Sequence, residues 1–229
     1  MNIRNLLLAL CCVMGYWCAG SAQTKISILG DSYSTFKGYV YPSTNACWYG
    51  MDEKRKDQVQ NDVSKIEETW WMLLTKKLKA QLEYNNSYSG ATVCHRGYGK
   101  KDFADRSFVT RMYNLGKPDI IFILGGTNDD WSGAPLGNFQ YENWSNEDLY
   151  QFRPAFSYLL FHIKTLYPQA QIYNVSNCGL RQAYIQSMDE ICKHYNVQNI
   201  QLVDIDKLSG HPSVKGMQMI CDQLYSHLK

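Results

Sequence analysis

The segment PDIIFILGG, residues 118–126, constrains the fold more than any other part of this 229-residue chain. Its centre, IIFIL, is apolar throughout, without the alternation of polar and apolar residues that marks a strand with one face in water. Continuous apolar runs of this length are typical of a strand in a parallel sheet that is covered on both faces. The segment therefore predicts a parallel sheet with helices on either side.

Strand-like and helix-like patterns alternate along the rest of the chain. Amphipathic helical patterns follow Ser64 and Pro154, occupy residues 180–195 and close the chain after His211. Ser64 also begins a capping-box pattern that ends at Glu67, which is a signature of a helix start. This alternation predicts a doubly wound, flavodoxin-like α/β fold, a three-layer α/β/α sandwich. Its five-stranded parallel sheet would use residues 25–30, 82–89, 118–126, 170–176 and 199–205.

The length and charge of the chain restrict the number of domains and the class of partner. Residues 23–229 fit a single domain that buries a sizeable core. The net charge of +2 argues against nucleic acid or an anionic membrane as the main partner. Residues 37–63 show no periodic pattern, and an irregular segment of this length inside a compact domain is usually functional.

Residues 1–22 have the composition of a secretory signal peptide. A basic start, MNIR, precedes an apolar stretch, and residues 20–22, GSA, offer a small-residue cleavage site. The apolar stretch is shorter than the roughly 20 residues that a membrane-spanning helix needs. A lipoprotein signal is the alternative, because Cys11, Cys12 and Cys18 lie in this segment. We therefore expect a secreted or periplasmic protein with no integral membrane segment after cleavage.

Five cysteines remain after the signal segment, at spacings that match no zinc site: Cys47, Cys94, Cys178, Cys192 and Cys221. One or two disulfides could form among them in an oxidising compartment, and the spacing does not pair them. The sequence implies no cofactor and no metal.

Polar residues follow the predicted strands at the carboxyl edge of the sheet, where doubly wound folds bind ligands. The first strand ends in Gly-Asp-Ser, which places Ser32 at this edge. Gly90 follows the second strand and Asn128 follows the third. His211 lies in the loop after the fifth strand. Since a serine hydroxyl becomes a nucleophile when a base within hydrogen-bond reach takes its proton, Ser32 and His211 are a candidate pair.

The segments at this edge resemble the four sequence blocks of the SGNH hydrolase superfamily, the GDSL-type lipases, esterases and acylhydrolases. ILGDSYS (28–34) is similar to the first block, NSYSG (86–90) to the second, GGTND (125–129) to the third and HPS (211–213) to the last. The blocks occur in the order of the family and extend over nearly all of the chain after the signal segment.

The resemblance implies a function for each of the four block residues. Ser32 would be the nucleophile and His211 the base of an ester hydrolase. The backbone N–H groups of Ser32 and Gly90 and the side-chain amide of Asn128 would form the oxyanion hole. Such donors stabilise the negative charge that develops on the attacked carbonyl oxygen.

One position departs from the pattern of the family. The last block usually has an aspartate three residues before the histidine, and here Leu208 occupies that position. The missing carboxylate would orient the imidazole and stabilise the imidazolium. We take Asp206 as the carboxylate of the catalytic triad, although Asp204 could also reach the ring through a differently shaped loop. A backbone carbonyl could instead orient the ring of His211 as part of a Ser–His dyad, or the chain could be a weak or inactive relative.

Aromatic residues near the blocks are candidates for substrate binding. Trp48 follows the nucleophile block, Trp131 follows the asparagine block and Tyr141 comes soon after. Aromatic residues make up 14% of the chain. These three side chains could stack against a sugar ring, or they could pack within their own loops. Arg96 and Arg111 could bind an acidic group of a substrate, or form surface salt bridges.

These inferences favour a secreted serine ester hydrolase that acts through an acyl-enzyme on Ser32. Export and the aromatic segments favour a small-molecule or polysaccharide ester as the substrate, with a carbohydrate acetyl group as the first candidate. A lipid or lysophospholipid acylhydrolase is the enzyme alternative, which the polar and charged residues 37–63 disfavour. A non-catalytic glycan-binding relative is the alternative that Leu208 and the aromatic residues suggest.

Overall fold

The computed structural model of the chain describes residues 23–51 and 61–228. The predicted signal peptide, residues 1–22, lies outside the described residues, and so does part of the predicted irregular segment, residues 52–60. Residues 37–51 contain turns and bends and no helix, in agreement with the lack of a periodic pattern there.

The described residues build a parallel sheet from five strands: β1 (Lys25–Gly30), β2 (Gln81–Asn85), β3 (Ile120–Leu124), β4 (Gln171–Ser176) and β5 (Gln198–Gln201). The strand order is β2-β1-β3-β4-β5, and every neighbouring pair is parallel. This is the order of the flavodoxin-like doubly wound fold, so the predicted fold class is confirmed. Several predicted strands end later in the sequence than the observed ones, because the pattern continues into residues beyond the last ladder hydrogen bond.

The helices are α1 (Trp70–Lys77), α2 (Phe108–Arg111), α3 (Thr127–Ser132), α4 (Phe152–Leu166), α5 (Gln182–His194) and α6 (Val214–His227). The periodic patterns predict α1, α4, α5 and α6, whereas α2 and α3 are too short to show a period. The capping box ahead of α1 uses Glu68 instead of Glu67, because a 3-10 turn, Ile66–Glu68, precedes the helix. One carboxylate oxygen of Glu68 accepts the N–H groups of Ser64 and Lys65 at 2.8 and 2.9 Å.

The sheet separates two hydrophobic cores. Successive side chains of a strand point to opposite faces, and in β3 Ile123 lies in one core while Phe122 and Leu124 lie in the other. Helices α2, α4 and α5 cover the first face, and α1 and α6 cover the second. The arrangement gives the three layers that the apolar β3 segment predicts.

The segment after β5 contains a short antiparallel hairpin, β6 (Lys207–Leu208) and β7 (His211–Pro212). Its turn consists of Ser209 and Gly210, whose φ angles are 47° and 77°. Positive φ at both central residues is the requirement of a type I′ turn, which glycine meets without strain. The hairpin places its second strand directly before α6.

The described residues add three facts about cysteines, membranes and metals. The five cysteines after the signal segment are free thiols in these ranges, so the disulfides that the sequence allows are not formed. No helix of the described ranges has both the length and the apolar composition to span a bilayer. Over the same ranges, no cluster of three or more His, Cys, Asp or Glu side chains is arranged to hold a metal ion.

Candidate active site

Ser32 opens a single 3-10 turn, Ser32–Ser34, immediately after β1. The carboxylate of Asp31 caps this turn by accepting the N–H of Tyr33 at 3.0 Å. The N–H of Asp31 donates to the carbonyl of Leu124 at 3.3 Å, which joins the turn to the end of β3. Ser32 is 5% exposed, so its hydroxyl lies in a largely dry position at the carboxyl edge of the sheet.

The hydroxyl of Ser32 and the imidazole of His211 form a hydrogen bond. Ser32 Oγ lies 2.9 Å from His211 Nε2, although the two residues are 179 positions apart. On the other side of the ring, Nδ1 lies 3.2 Å from the carbonyl oxygen of Ser209. Because a carbonyl oxygen can only accept, Nδ1 carries the proton and Nε2 is free to accept the proton of Ser32. The structure therefore brings together the two residues that sequence reasoning proposed as nucleophile and base.

The predicted role of Asp206 needs correction. Its carboxylate accepts a hydrogen bond from Ser213 Oγ, at the start of α6. Neither Asp206 nor Asp204, both within the described residues, forms a hydrogen bond with the imidazole of His211. The Nδ1 atom of that ring faces the carbonyl of Ser209. The physical reason is the tight hairpin, which puts the Ser209 carbonyl against the ring. The arrangement is the Ser–His dyad with a backbone carbonyl, which the sequence left open as an alternative.

The surroundings of His211 favour its neutral form. Burial lowers the pKa of His211 to about 4; the Ser209 carbonyl opposes this shift, and the positive charge of Lys207 adds to it. Lys207 Nζ donates to the side chain of Asn177 at 3.2 Å, which holds the cation near the site. At neutral pH the ring is therefore uncharged, as a base that takes a proton from serine must be.

Of the candidate oxyanion-hole residues, Asn128 is bonded to Ala91, the residue that follows Gly90. Asn128 Nδ2 donates to the carbonyl of Ala91 at 2.9 Å, and Asn128 Oδ1 accepts the hydroxyl of Tyr98 at 2.7 Å. These bonds orient the amide and leave the second Nδ2 hydrogen for a ligand. Gly90 has a φ of 82°, which favours glycine. Within the described part of the chain, the backbone N–H groups of Ser32 and Gly90 have no acceptor.

Asp129 anchors the loop beside the oxyanion residues. Its two carboxylate oxygens accept the backbone N–H groups of Val93 and Cys94 at 2.7 and 3.0 Å. Burial raises the pKa of Asp129 to about 6. The carboxylate is fully engaged in holding backbone, and this use of its oxygens indicates a structural role.

Arg111 neither reaches the reacting groups nor forms a surface salt bridge, unlike both sequence expectations. The side chain is buried and its guanidinium donates to the carbonyls of Gly30 at 3.1 Å, Arg106 at 2.7 Å and Asn86. Burial lowers the pKa of Arg111 to about 9. Burial also raises the pKa of Asp31 to about 7, with the charge of Arg111 acting against the shift. Sequence reasoning misses the buried position of this side chain because α2, which Arg111 ends, is too short to show periodicity.

The aromatic candidates fall into two groups. The indole of Trp48 stacks on the His211 ring with centroids 3.5 Å apart and planes at 8°. Trp131 meets the same ring edge-on at 6.4 Å and remains 49% exposed. Tyr141 instead stacks on His194 at 3.8 Å, at the end of α5, away from the carboxyl edge of the sheet. The predicted substrate-binding role of Tyr141 is therefore not supported by its position.

Two tyrosines that sequence reasoning misses hold the hairpin of His211. The hydroxyl of Tyr33 donates to the carbonyl of Gly210 at 2.7 Å, and that of Tyr49 donates to Pro212 at 2.8 Å. Both rings are buried, so these bonds are shielded from water. Tyr33 lies inside the nucleophile block, but nothing in the sequence pattern indicates which backbone group its hydroxyl would reach.

Comparisons with known proteins add family and fold to this geometry. The family model of GDSL-like lipases/acylhydrolases matches residues 24–228. A comparison with curated protein sequences finds no match.

Solved structures resemble the chain over nearly its whole length. A protein from Bacteroides uniformis, assigned as a GDSL-like lipase, is 57% identical; the match covers 91% of this chain and 96% of that one, with a TM-score of 0.88. A protein from Bacteroides ovatus with the same assignment is 50% identical, over 90% of this chain and 98% of that one, with a TM-score of 0.87. An acetyl xylan esterase from the rumen bacterium Butyrivibrio proteoclasticus is 16% identical, over 90% of this chain and 63% of that one, with a TM-score of 0.55. At that identity the last likeness concerns the fold alone.

The resemblance of the four blocks is thereby confirmed. The family match includes every residue of the block set, from the Ser32 turn to the His211 hairpin. A serine hydroxyl bonded to a neutral imidazole, together with backbone N–H groups that bond no other described residue, is an arrangement suited to acyl transfer. The chain belongs to the GDSL-like lipase/acylhydrolase family and is a hydrolase of ester bonds.

Proposed function

We propose that this chain is an exported esterase that removes acetyl groups from carbohydrates through an acyl-enzyme on Ser32. The observation that carries the proposal is the 2.9 Å hydrogen bond between Ser32 Oγ and His211 Nε2. The Nδ1–H of the ring donates to the carbonyl of Ser209, which leaves on Nε2 the lone pair that a general base needs.

In the first half of the reaction, Ser32 Oγ attacks the carbonyl carbon of the ester while His211 Nε2 takes the hydroxyl proton. The carbonyl oxygen of the substrate becomes an oxyanion in the tetrahedral intermediate. The N–H groups of Ser32 and Gly90 and the amide of Asn128 donate to it. Loss of one such donor typically raises the barrier by about 2.7–4 kcal/mol.

Collapse of this intermediate breaks the bond to the alcohol, and His211 gives its proton to the departing oxygen. The acyl group then remains on Ser32 as an ester. In the second half, His211 takes a proton from water, which attacks the acyl-enzyme. The second intermediate collapses to the carboxylic acid and free Ser32, and the proton returns to the serine oxygen.

The preference for a carbohydrate rests on the surface beside the dyad. Trp131 is 49% exposed and lies edge-on to His211, so its ring can contact the part of a substrate that extends from the reacting ester. Exposed indole rings beside a reacting centre are suited to stacking on sugars. The acetyl xylan esterase of the same fold is consistent with this preference. Export is proposed from the basic and apolar composition of residues 1–22.

The nucleophile is tested with 4-nitrophenyl acetate, a small activated ester. We expect Ser32→Ala to reduce kcat to background, because no other hydroxyl of the described residues bonds His211 Nε2. Ser43→Ala, which removes an exposed serine from the following loop, serves as the matched control. Retention of wild-type turnover by Ser32→Ala would exclude the acyl-enzyme, and background rates in the wild type would favour the glycan-binding alternative.

The substrate class is tested with acetylated xylo-oligosaccharides, a palmitoyl ester and a lysophospholipid. We expect turnover of the acetylated sugars, and we expect Trp131→Ala to raise KM for them but not for 4-nitrophenyl acetate. Tyr113→Ala is the control, because Tyr113 is 55% exposed and contacts Tyr158, far from the dyad. Preferential cleavage of the long-chain substrates would instead identify a lipid acylhydrolase.

A further inference from the structure

The indole of Trp48 has an unusual relation to the imidazole of His211. The ring centroids are 3.5 Å apart and the planes are inclined by 8°, which is a face-to-face stack. The other three aromatic neighbours of the imidazole in the described part of the chain are inclined much more steeply, Tyr33 by 60°, Trp131 by 74° and Tyr49 by 78°. Trp48 therefore covers one π face of the proposed base.

The backbone around Trp48 is attached to both members of the dyad. The N–H of Trp48 donates to Thr35 Oγ1 at 2.8 Å, and that hydroxyl donates to the carbonyl of Ser32 at 3.0 Å. The next residue, Tyr49, donates its hydroxyl to Pro212 at 2.8 Å, adjacent to the histidine. These bonds hold the indole in place relative to the nucleophile turn and the hairpin.

The dyad mechanism forms a positive charge on His211 that the stacked indole can stabilise. His211 becomes a cation when it takes the proton of Ser32, and it does so in a buried position near the positive charge of Lys207. Its Nδ1 faces the neutral carbonyl of Ser209 where related triads have a carboxylate. The negative face of an aromatic ring attracts a cation without carrying a charge itself, and the attraction is strongest when water is excluded.

We propose that Trp48 is a positioning residue that performs part of the task of the missing carboxylate. It fixes the plane of the His211 ring and stabilises the imidazolium that forms as Ser32 attacks. The inference rests on the proposed role of Ser32 and His211 in catalysis. Because the attraction is greater for the cation than for the neutral ring, it lowers the barrier rather than tightening ground-state binding.

The first test uses Trp48→Phe and Trp48→Leu with 4-nitrophenyl acetate, an ester too small to need a sugar-stacking surface. We expect kcat to fall about 3-fold for the phenylalanine variant and about 10-fold for the leucine variant, with KM nearly unchanged. Tyr39→Leu is the control, since Tyr39 is a 49% exposed aromatic of the same loop. An unchanged kcat with a raised KM would show that Trp48 binds substrate instead, and would overturn the inference.

The second test separates stabilisation of the cation from orientation of the ring. Monofluorinated and trifluorinated tryptophan, incorporated at position 48, keep the shape of the indole and weaken its negative π face. We expect kcat to fall stepwise with fluorination, and the acid limb of kcat/KM to move to lower pH because the imidazolium is less favoured. Equal values of kcat across the fluorinated series would overturn the inference. Ser32→Ala assayed in parallel distinguishes the two proposals, because activity without Ser32 would exclude the dyad mechanism itself.

Discussion

At the scale of single residues, the site differs from the family pattern in how the base is oriented. Leu208 occupies the usual aspartate position, and it pairs with His211 across the hairpin. The turn between them presents the Ser209 carbonyl to Nδ1 at 3.2 Å. A carbonyl fixes the tautomer as a carboxylate does, but it carries no full negative charge to offset the imidazolium.

This geometry predicts that Asp206→Asn leaves most of the activity in place. Removal of a true third triad member lowers turnover about 10⁴-fold in the serine proteases. Because Asp206 bonds Ser213 instead of His211, we expect kcat on 4-nitrophenyl acetate to stay within about 3-fold, with at most a small loss of stability. Asp204→Asn is the matched control. A loss of several orders of magnitude in the Asp206 variant would mean that the carboxylate reaches the ring during turnover.

At the scale of elements, the position of His211 depends on the contact between α6 and the segment before the hairpin. Ser213 caps α6 by accepting the N–H of Gly216 at 3.1 Å, and its own N–H donates to the carbonyl of Asp206 at 3.1 Å. A methyl group at Gly216 would collide with that same carbonyl oxygen. The helix can therefore approach the hairpin this closely only with glycine at its first turn.

Gly216→Ala tests this contact, because helix propensity and packing predict opposite results. Alanine would stabilise an unconstrained helix by about 1 kcal/mol relative to glycine. We expect the clash to reverse this sign, lowering Tm and reducing kcat as the His211 hairpin shifts. Lys215→Ala, at the exposed neighbouring position, should leave both quantities nearly unchanged. A higher Tm with full activity in Gly216→Ala would show that the backbone relaxes without cost.

At the scale of the whole molecule, burial couples the site to folding stability. The fold holds His211 in a dry position, which lowers its pKa to about 4 from the value of about 6.5 of an unfolded chain. Burial has the opposite effect on the acids Asp31 and Asp129, whose pKa values it raises to about 7 and about 6. Since these groups act in opposite directions over the same pH range, the contribution of the histidine has to be isolated by substitution.

Comparison of the wild type with His211→Gln isolates it. Between about pH 6.5 and pH 4 the unfolded chain binds a proton at His211 that the folded chain does not, so the contribution of His211 to the free energy of unfolding decreases as the pH falls. We expect the difference in unfolding free energy between the two proteins to change in this sense, by up to about 1.4 kcal/mol per pH unit. Denaturant unfolding at several pH values measures it. Parallel curves for the two proteins would show that the histidine has an ordinary pKa.

The fold could be predicted largely from the chain because its patterns are local. A buried parallel strand such as Ile120–Leu124 is apolar at every position, and amphipathic helices show their period within a few turns. The carboxyl ends of parallel strands meet at one edge, so Ser32, Gly90 and Asn128 could be assigned to the same rim. Short helices such as α2 escape this reasoning, since four residues contain little more than one turn.

The amino-acid sequence is enough to predict the α/β architecture, the family and the residues at the carboxyl edge of the sheet. The surroundings of the base follow from tertiary packing: the Ser209 carbonyl in place of Asp206, the stacked ring of Trp48, and the distant position of Tyr141. Periodicity and turn propensity act between near neighbours, whereas the direction in which a hairpin points its carbonyl groups and the contacts between distant segments depend on the path of each loop and on how its side chains pack.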